Sequence, residues 1–264
     1  MKVIILCGGM GTRLREETEY KPKPMVKVGD KPILWHIMKH YAYYGHKEFV
    51  LALGYKGNII RDYFLNYYNY NSDFTVDLSK VGSVQIHNNR RHDDWKVTLV
   101  ETGADSMTGY RVKLCFPFIQ DDRFMLTYGD AVSNVDIGKL EAFSVRMDTI
   151  GTVTGVNPPS RFGDLLTENE IVTSFKQKLK EISVQNTING GYFVFKKEFF
   201  NYLPDDPGCS LEDEPMDRLV KERQLSVYSH TDFWQCMDTY RDYQALNKLW
   251  SVDPPWKIWK EERE

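Results

Sequence analysis

Three groups of residues in this sequence have the types and spacing to handle phosphate. The first is the run Leu6-Cys7-Gly8-Gly9-Met10-Gly11-Thr12-Arg13-Leu14, which directly follows the short apolar segment Lys2 to Leu6. Glycines let backbone N–H groups come close to phosphate oxygens, and an arginine at the loop's end adds a charged, forked donor. Alone, such a loop is more often a plain structural turn. It has neither the Gly-Lys-Ser/Thr ending of a Walker loop nor the third glycine of the dinucleotide fingerprint. The second group is Lys21-Pro22-Lys23-Pro24-Met25, in which prolines stiffen the backbone and hold one or both ammonium groups in place. The third is Asp130, which follows the apolar run Phe124 to Leu126 and so stands at the C-terminal end of a strand. One or two such carboxylates plus phosphate oxygens suffice for Mg²⁺, although a lone aspartate there also serves as a turn residue.

These residues need a scaffold, and hydrophobic periodicity supplies one. Lys2 to Leu6 is β-branched and nearly continuously apolar, as expected of a strand buried on both faces. Apolar residues at three- and four-residue spacing predict a helix from Ile33 to Tyr44, ending near Gly45, and Glu48 to Leu53 is a second buried-strand candidate. The order strand, glycine turn, helix, strand argues for a doubly wound α/β sheet that binds ligands at its strand C-terminal ends. Ile59 to Tyr67 is the next predicted helix. Further strands are expected at Val97 to Glu101, Phe124 to Tyr128 and Thr149 to Val156, with a helix at Val135 to Ser144. Segment 68–95 is polar, aromatic and irregular, an excursion from the sheet. Beyond Pro158 come short alternating runs, Ile171 to Phe175 and Tyr192 to Phe195, which suggest antiparallel strands over one end of the sheet. Tyr240 to Trp250 is a helix stopped by Pro254-Pro255. One domain is expected over 1–264, with a nucleotide-binding core to about 156, a sugar and metal portion at about 157–239, and a helical tail at about 240–264.

Composition narrows the function classes. Apolar residues at 42% and charged residues at 27% are ordinary for a soluble globular enzyme of 264 residues. A net charge of −3 offers no general attraction to nucleic acid or anionic membrane. Cys7, Cys115, Cys209 and Cys236 are scattered, without metal-ligand spacing, and fit reduced thiols in a cytoplasm. No apolar run approaches the ~20 residues of a membrane span.

The combination GGxGTRL, KPKPM and Lys31-Pro32 resembles the opening signature of the sugar nucleotidyltransferases. The whole chain resembles their glucose-1-phosphate cytidylyltransferase branch, through KPILWHIMKHY, GYKG, WKVTLVETG, SMTGYRVK, TYGDAVSNVD, RFG, INGGYFVF, FWQCMDTYRD and PPWKIW. The resemblance implies a Rossmann-like, mostly parallel mixed sheet flanked by helices, of the nucleotide-diphospho-sugar transferase type, with a small antiparallel sugar-binding portion. It also implies Mg²⁺, CTP, α-D-glucose 1-phosphate and a homo-oligomer. Leu6, Cys7, Gly8, Gly9, Met10 and Gly11 would wrap the nucleotide, with Thr12 and Arg13 on its phosphates and Lys23 near the reacting phosphate. Ser106, Arg111, Thr127 and Gly129 match the family's nucleotide pocket. Asp130 and Asp238 match its metal carboxylates, Lys178 its second lysine, and Tyr128, Asn189 and Gly190, next to Gly191, its sugar side.

The match is weaker on that sugar side. Gln177 and Leu179 flank Lys178 where the family has Glu-Lys-Pro, and Ser160 precedes Arg161-Phe162-Gly163 in place of a glycine. Asp164 and Leu165 replace small or apolar residues, and Ala131 replaces a glycine after Asp130. Three functions stay open on these residues: cytidylyl transfer to glucose 1-phosphate, the same transfer to a modified sugar phosphate or other phosphorylated acceptor, and non-catalytic nucleotide-sugar binding.

Overall fold

A computed structural model of the chain describes residues 1–87, 93–157, 164–168, 171–176 and 187–260. The chain opens with β1 (Val3–Leu6), whose Val3, Ile4 and Ile5 are wholly buried, as a strand covered on both faces requires. There follow α1 (Ile33–Tyr43), β2 (Glu48–Leu53), α2 (Gly57–Leu65), β3 (Lys96–Glu101), α3 (Thr108–Leu114) and β4 (Arg123–Tyr128). Next come β5 (Ala131–Ser133), α4 (Ile137–Met147), β6 (Gly151–Val156) and β7 (Ile188–Lys196). The chain then forms α5 (Glu214–Lys221), β8 (Leu225–His230), β9 (Trp234–Cys236) and α6 (Tyr240–Trp250).

Seven strands form one sheet in the order β8-β6-β7-β4-β1-β2-β3. β7 pairs antiparallel with both its neighbours, and every other adjacent pair is parallel. The chain builds outward from β1 through β2 to β3, then crosses to β4 on the other side of β1. That reversal opens a crevice beyond the C-terminal ends of β1 and β4, the usual ligand position in open α/β sheets. The loop beginning at Cys7 leaves one strand there and Asp130 leaves the other.

The period-2 alternation of β1 divides the core. Val3 and Ile5 pack with α1, Met237 and the tail tryptophans Trp256 and Trp259, while Ile4 and Leu6 pack with Phe124, Phe193, Phe195 and Phe199. The tail is thus a core element, since Trp256 is almost completely buried and packs against His36 and Trp250.

Most expected boundaries agree within two residues, and four differences stand out. Tyr192 to Phe195 is no cap over the sheet's end but part of β7, a central strand between β4 and β6. All four of its side chains are buried, so the run is continuous apolar rather than alternating. The α4 helix starts at Ile137 because Asp136 caps it, accepting from Lys139 N at 2.9 Å. The helix expected at Ile59 begins at Gly57, and Asn66 separates it from a further turn at Tyr67–Asn71. Segment 68–95 also holds a hairpin, Phe74–Val76 with Val84–Ile86. Asp164–Glu168 and Ile171–Lys176 do form an antiparallel pair apart from the main sheet. All four cysteines are free thiols.

Two buried imidazoles on α1 make stability pH-dependent. His36 Nε2 faces the Val28 carbonyl at 2.9 Å, so it carries the ring proton, while Nδ1 accepts from the Trp256 indole at 3.4 Å. Burial lowers the pKa of His36, and likewise of His40, to about 4. An unfolded histidine binds a proton below about pH 6.5, whereas the folded rings stay neutral down to about 4. Stability is therefore level above 6.5 and falls as the pH drops through that window, by up to roughly 3 kcal/mol per ring. Urea denaturation across the window checks this: a steep decline is expected, shallower in His36→Asn, and a flat profile would contradict neutral rings.

Candidate active site

The loop after β1 is tied down by its own backbone. Cys7 N donates to Ala52 O at 2.9 Å, Tyr55 N to Gly8 O at 3.2 Å, and Leu14 N to Gly11 O at 3.0 Å. Gly11 has a φ of +62°, where a side chain is strained. Beneath the loop lies the Arg111 guanidinium, 4% exposed. Its Nη1 donates to Leu53 O, Gly103 O and Thr102 Oγ1 at 3.1, 2.7 and 2.6 Å, and its Nη2 to Gly8 O and Ala104 O at 3.2 and 3.0 Å. Arg111 joins three strand-end loops at the floor of the crevice. A Cβ on Gly8 or Gly54 would come within 2.2 Å of its Nη1, so both glycines are needed to admit it. The motif position matched the nucleotide pocket, but these two nitrogens are engaged by the protein itself.

Above that floor the candidate groups are open to the crevice. Gly9 and Met10 are exposed, and Arg13 reaches Asp238 Oδ2 at 3.6 Å with a side chain that is 79% exposed. An exposed pair of this kind holds its partner weakly.

The two lysines of the proline segment have different fates. Lys21 pairs with Glu17 at 2.9 Å. Lys23 projects from a short 3-10 turn between Pro22 and Pro24, and its Nζ donates to Asp130 Oδ2 at 2.7 Å and Asp238 Oδ1 at 2.6 Å. Pro24 packs against Gly129, where a Cβ would lie 2.9 Å from its ring and 2.8 Å from Leu6 O. Glycine at 129 is thus what lets the turn seat against the strand end. Burial works to lower the Lys23 pKa, but the charges and hydrogen bonds of Asp130 and Asp238 overcome it and leave the pKa raised.

The aspartates meet because β5 pairs with β9, Ala131 lying opposite Cys236, and Met237 N donates to Asp130 O at 2.9 Å. Asp242 then locks the Asp238 backbone. Its Oδ2 accepts from Asp238 N at 3.1 Å and from Thr239 N and Oγ1 at 2.9 Å each, closing a capping box with Thr239 at the start of α6. Asp242→Ala is expected to cost ~1–2 kcal/mol of stability. It is also expected to lower turnover at least ~10-fold, because the Asp238 carboxylate loses its fixed position. Thermal denaturation beside a turnover assay checks both, and unchanged turnover would restrict Asp242 to capping.

On the other wall, the Tyr128 hydroxyl donates to Glu212 Oε1, and Asn189 Nδ2 donates to Tyr128 Oη at 3.4 Å. Burial, then the Glu212 charge, push the Tyr128 pKa well above its usual value. Asn189 Oδ1 accepts from Gly191 N at 2.8 Å, and Gly190 O accepts from Trp234 Nε1 at 2.7 Å. Thr127 is buried, its Oγ1 donating to Tyr128 O at 3.3 Å, and Ser106 donates to Thr102 O at 2.5 Å. Glu212, which also accepts from Thr108 at 2.7 Å and Ser210 at 2.9 Å, carries no sequence signal, since it sits in an aperiodic loop. Lys178, with Gln177, Leu179, Ser160 and Arg161-Phe162-Gly163, lies outside the described residues.

The donor set suits a divalent cation. Two carboxylates from separate turns already converge on one cationic atom, the Lys23 ammonium. Among the described residues no cluster of three or more acidic, histidine or cysteine side chains could hold a metal. Asp130 and Asp238 would supply two oxygens to such a cation, and water or phosphate could supply the others.

Comparison with known proteins agrees with this geometry. A family model described as nucleotidyl transferase matches residues 2–250. A probable glucose-1-phosphate cytidylyltransferase of Bacillus subtilis (strain 168) is 43% identical over 260 residues, covering 98% of this chain and 100% of that one. The glucose-1-phosphate cytidylyltransferase of Salmonella typhi is 43% identical over 262 residues, with the same coverage. In fold, the chain is similar to the crystal structure of a putative glucose-1-phosphate thymidylyltransferase from Bacillus anthracis, with a TM-score of 0.69 at 18% identity, over 99% of this chain and 98% of that one. The mixed sheet, the crevice at its reversal point and this end-to-end identity agree: the chain belongs to the nucleotidyl transferase family.

Proposed function

We propose that the protein transfers a cytidylyl group from CTP to α-D-glucose 1-phosphate, giving CDP-glucose and pyrophosphate. The observation that carries this reading is the 43% identity, from end to end, to curated glucose-1-phosphate cytidylyltransferases. The meeting of Lys23, Asp130 and Asp238 at the crevice supports it.

In the reaction a phosphate oxygen of the sugar 1-phosphate attacks the α-phosphorus of CTP in line. The new P–O bond forms as the bond to the bridging oxygen of pyrophosphate breaks. The attacking phosphate is already ionised at neutral pH, so alignment and charge neutralisation dominate and no general base is needed. The loop Leu6 to Gly11 offers backbone N–H groups to the triphosphate, with Thr12 and Arg13 on the leaving pyrophosphate. Lys23 steadies the α-phosphate and Lys178 the sugar phosphate. Tyr128, Asn189 and Gly190 line the sugar, and Ser106, Thr127, Gly129 and Arg111 shape the nucleotide side. Asp130 and Asp238 would hold Mg²⁺, which when bound would neutralise charge on the phosphate oxygens.

Pyrophosphate release from each of CTP, UTP, dTTP, ATP and GTP against a panel of sugar 1-phosphates tests the reading. Turnover confined to CTP with glucose 1-phosphate is expected. CTP turnover only with another acceptor would move the assignment to that acceptor, and no turnover with any pair would contradict it.

A further inference from the structure

The Lys23 ammonium sits where the proposed metal should be. It bonds one oxygen of Asp130 and one of Asp238 at 2.7 and 2.6 Å, and these are the carboxylates expected to hold Mg²⁺. Its side chain is 13% exposed and the two carboxylates are 30% and 25% exposed, so the contact is partly shielded from water, which strengthens charge interactions. A divalent cation reaching the same pair would meet a like charge held between its two ligands. Arg13 cannot take over as the counter-charge, because its guanidinium is exposed and stands 3.6 Å from one carboxylate only.

We propose that Lys23 is an internal counter-cation that closes the carboxylate pair to divalent metal until a nucleotide triphosphate draws the ammonium away. Pro22 and Pro24 fix the backbone on either side of Lys23, but its four-carbon stem is flexible. The ammonium can therefore swing from the carboxylates to an arriving phosphate while the turn stays seated. Phosphate gives the lysine a new partner, and the released carboxylate oxygens give the metal its ligands. Metal and nucleotide then bind with positive coupling, and by linkage each strengthens the other to the same degree. A site closed in this way ignores free metal and assembles only around a metal–triphosphate pair. The proposal rests on the assignment of Asp130 and Asp238 as metal ligands made above.

Mn²⁺ binding, read by water-proton relaxation at mildly alkaline pH, tests this without turnover. Wild type and Lys23→Met are titrated with and without α,β-methylene CTP, their folding verified by circular dichroism. Lys23→Met is expected to bind Mn²⁺ alone at least about tenfold more tightly than wild type. The analogue is expected to tighten Mn²⁺ binding strongly in wild type and little in the variant. Lys23→Gln should behave as Lys23→Met does, and adding Asp238→Asn to Lys23→Met should abolish the gain. Equal or weaker Mn²⁺ affinity in both lysine variants, with normal binding in the presence of the analogue, would overturn the counter-cation role and leave the metal assignment standing. Absence of Mn²⁺ binding to every protein, with analogue present, would overturn the metal assignment and this proposal with it.

Discussion

Asp238→Asn is expected to lower kcat by ~10²- to 10³-fold, the usual cost of losing a charge-stabilising contact at a reacting phosphate. The substitution keeps size and shape, and the backbone bonds from Asp238 N and Thr239 to Asp242 remain available, so the start of α6 should persist. What is lost is one of the two negative charges facing Lys23, and with it half of the carboxylate pair. The amide retains an oxygen that accepts from Lys23 but binds a hard divalent cation far less strongly than a carboxylate does. A steady-state assay with saturating substrates, paired with a thermal melt, separates catalysis from folding. Turnover within a few-fold of wild type would remove Asp238 from the mechanism.

Arg111→Met is expected to have the largest effect on stability. Four backbone carbonyls and Thr102 Oγ1 accept from the buried guanidinium, and they belong to the loops after β1, β2 and β3. Methionine fills part of the space but donates nothing. Each buried acceptor left unsatisfied costs ~1–3 kcal/mol, so a total loss of at least ~3 kcal/mol is expected even if water enters and satisfies some of them. For a chain of this size that lowers the melting temperature by roughly 6–12 °C. The Gly8 loop should loosen at the same time and weaken nucleotide binding. Gly8→Ala makes a parallel test, because its Cβ would meet the same guanidinium. A melting temperature within a degree or two of wild type in Arg111→Met would show that these bonds are not needed to hold the three loops together.

These two residues also mark where sequence reasoning succeeds and where it stops. β1, β2, α1 and α6 are legible because each writes its burial into a local pattern: continuous apolar runs for central strands, and three- and four-residue spacing for helices. β7 is antiparallel as expected, but its place is not: Tyr192-Phe193-Val194-Phe195 is continuously apolar because the strand lies between β4 and β6 inside the main sheet, not over its end. A strand's position in the sheet is set by connectivity, which composition does not carry. β5 and β9 are three residues each, too short for any period, yet their pairing is what brings Asp130 beside Asp238. No spacing along the chain announces that meeting, and only resemblance to a family motif linked the two aspartates. Lys21 and Lys23 look alike in sequence, and the structure separates them by the carboxylates each can reach. Arg111 shows the opposite case, in which a residue at a motif position has its guanidinium held by the protein's own carbonyls at the floor beneath the crevice. Asp242 was legible in principle from the Thr-x-x-Asp spacing of a capping box, whereas Glu212 acts through a loop that no pattern describes.

The most direct test of the central claim is to identify the products formed from CTP and glucose 1-phosphate with Mg²⁺ by chromatography and phosphorus NMR. Equimolar CDP-glucose and pyrophosphate are the expected result. Release of CMP with pyrophosphate would show hydrolysis instead of transfer, and recovery of both substrates unchanged would show that no transfer takes place; either would contradict the assignment.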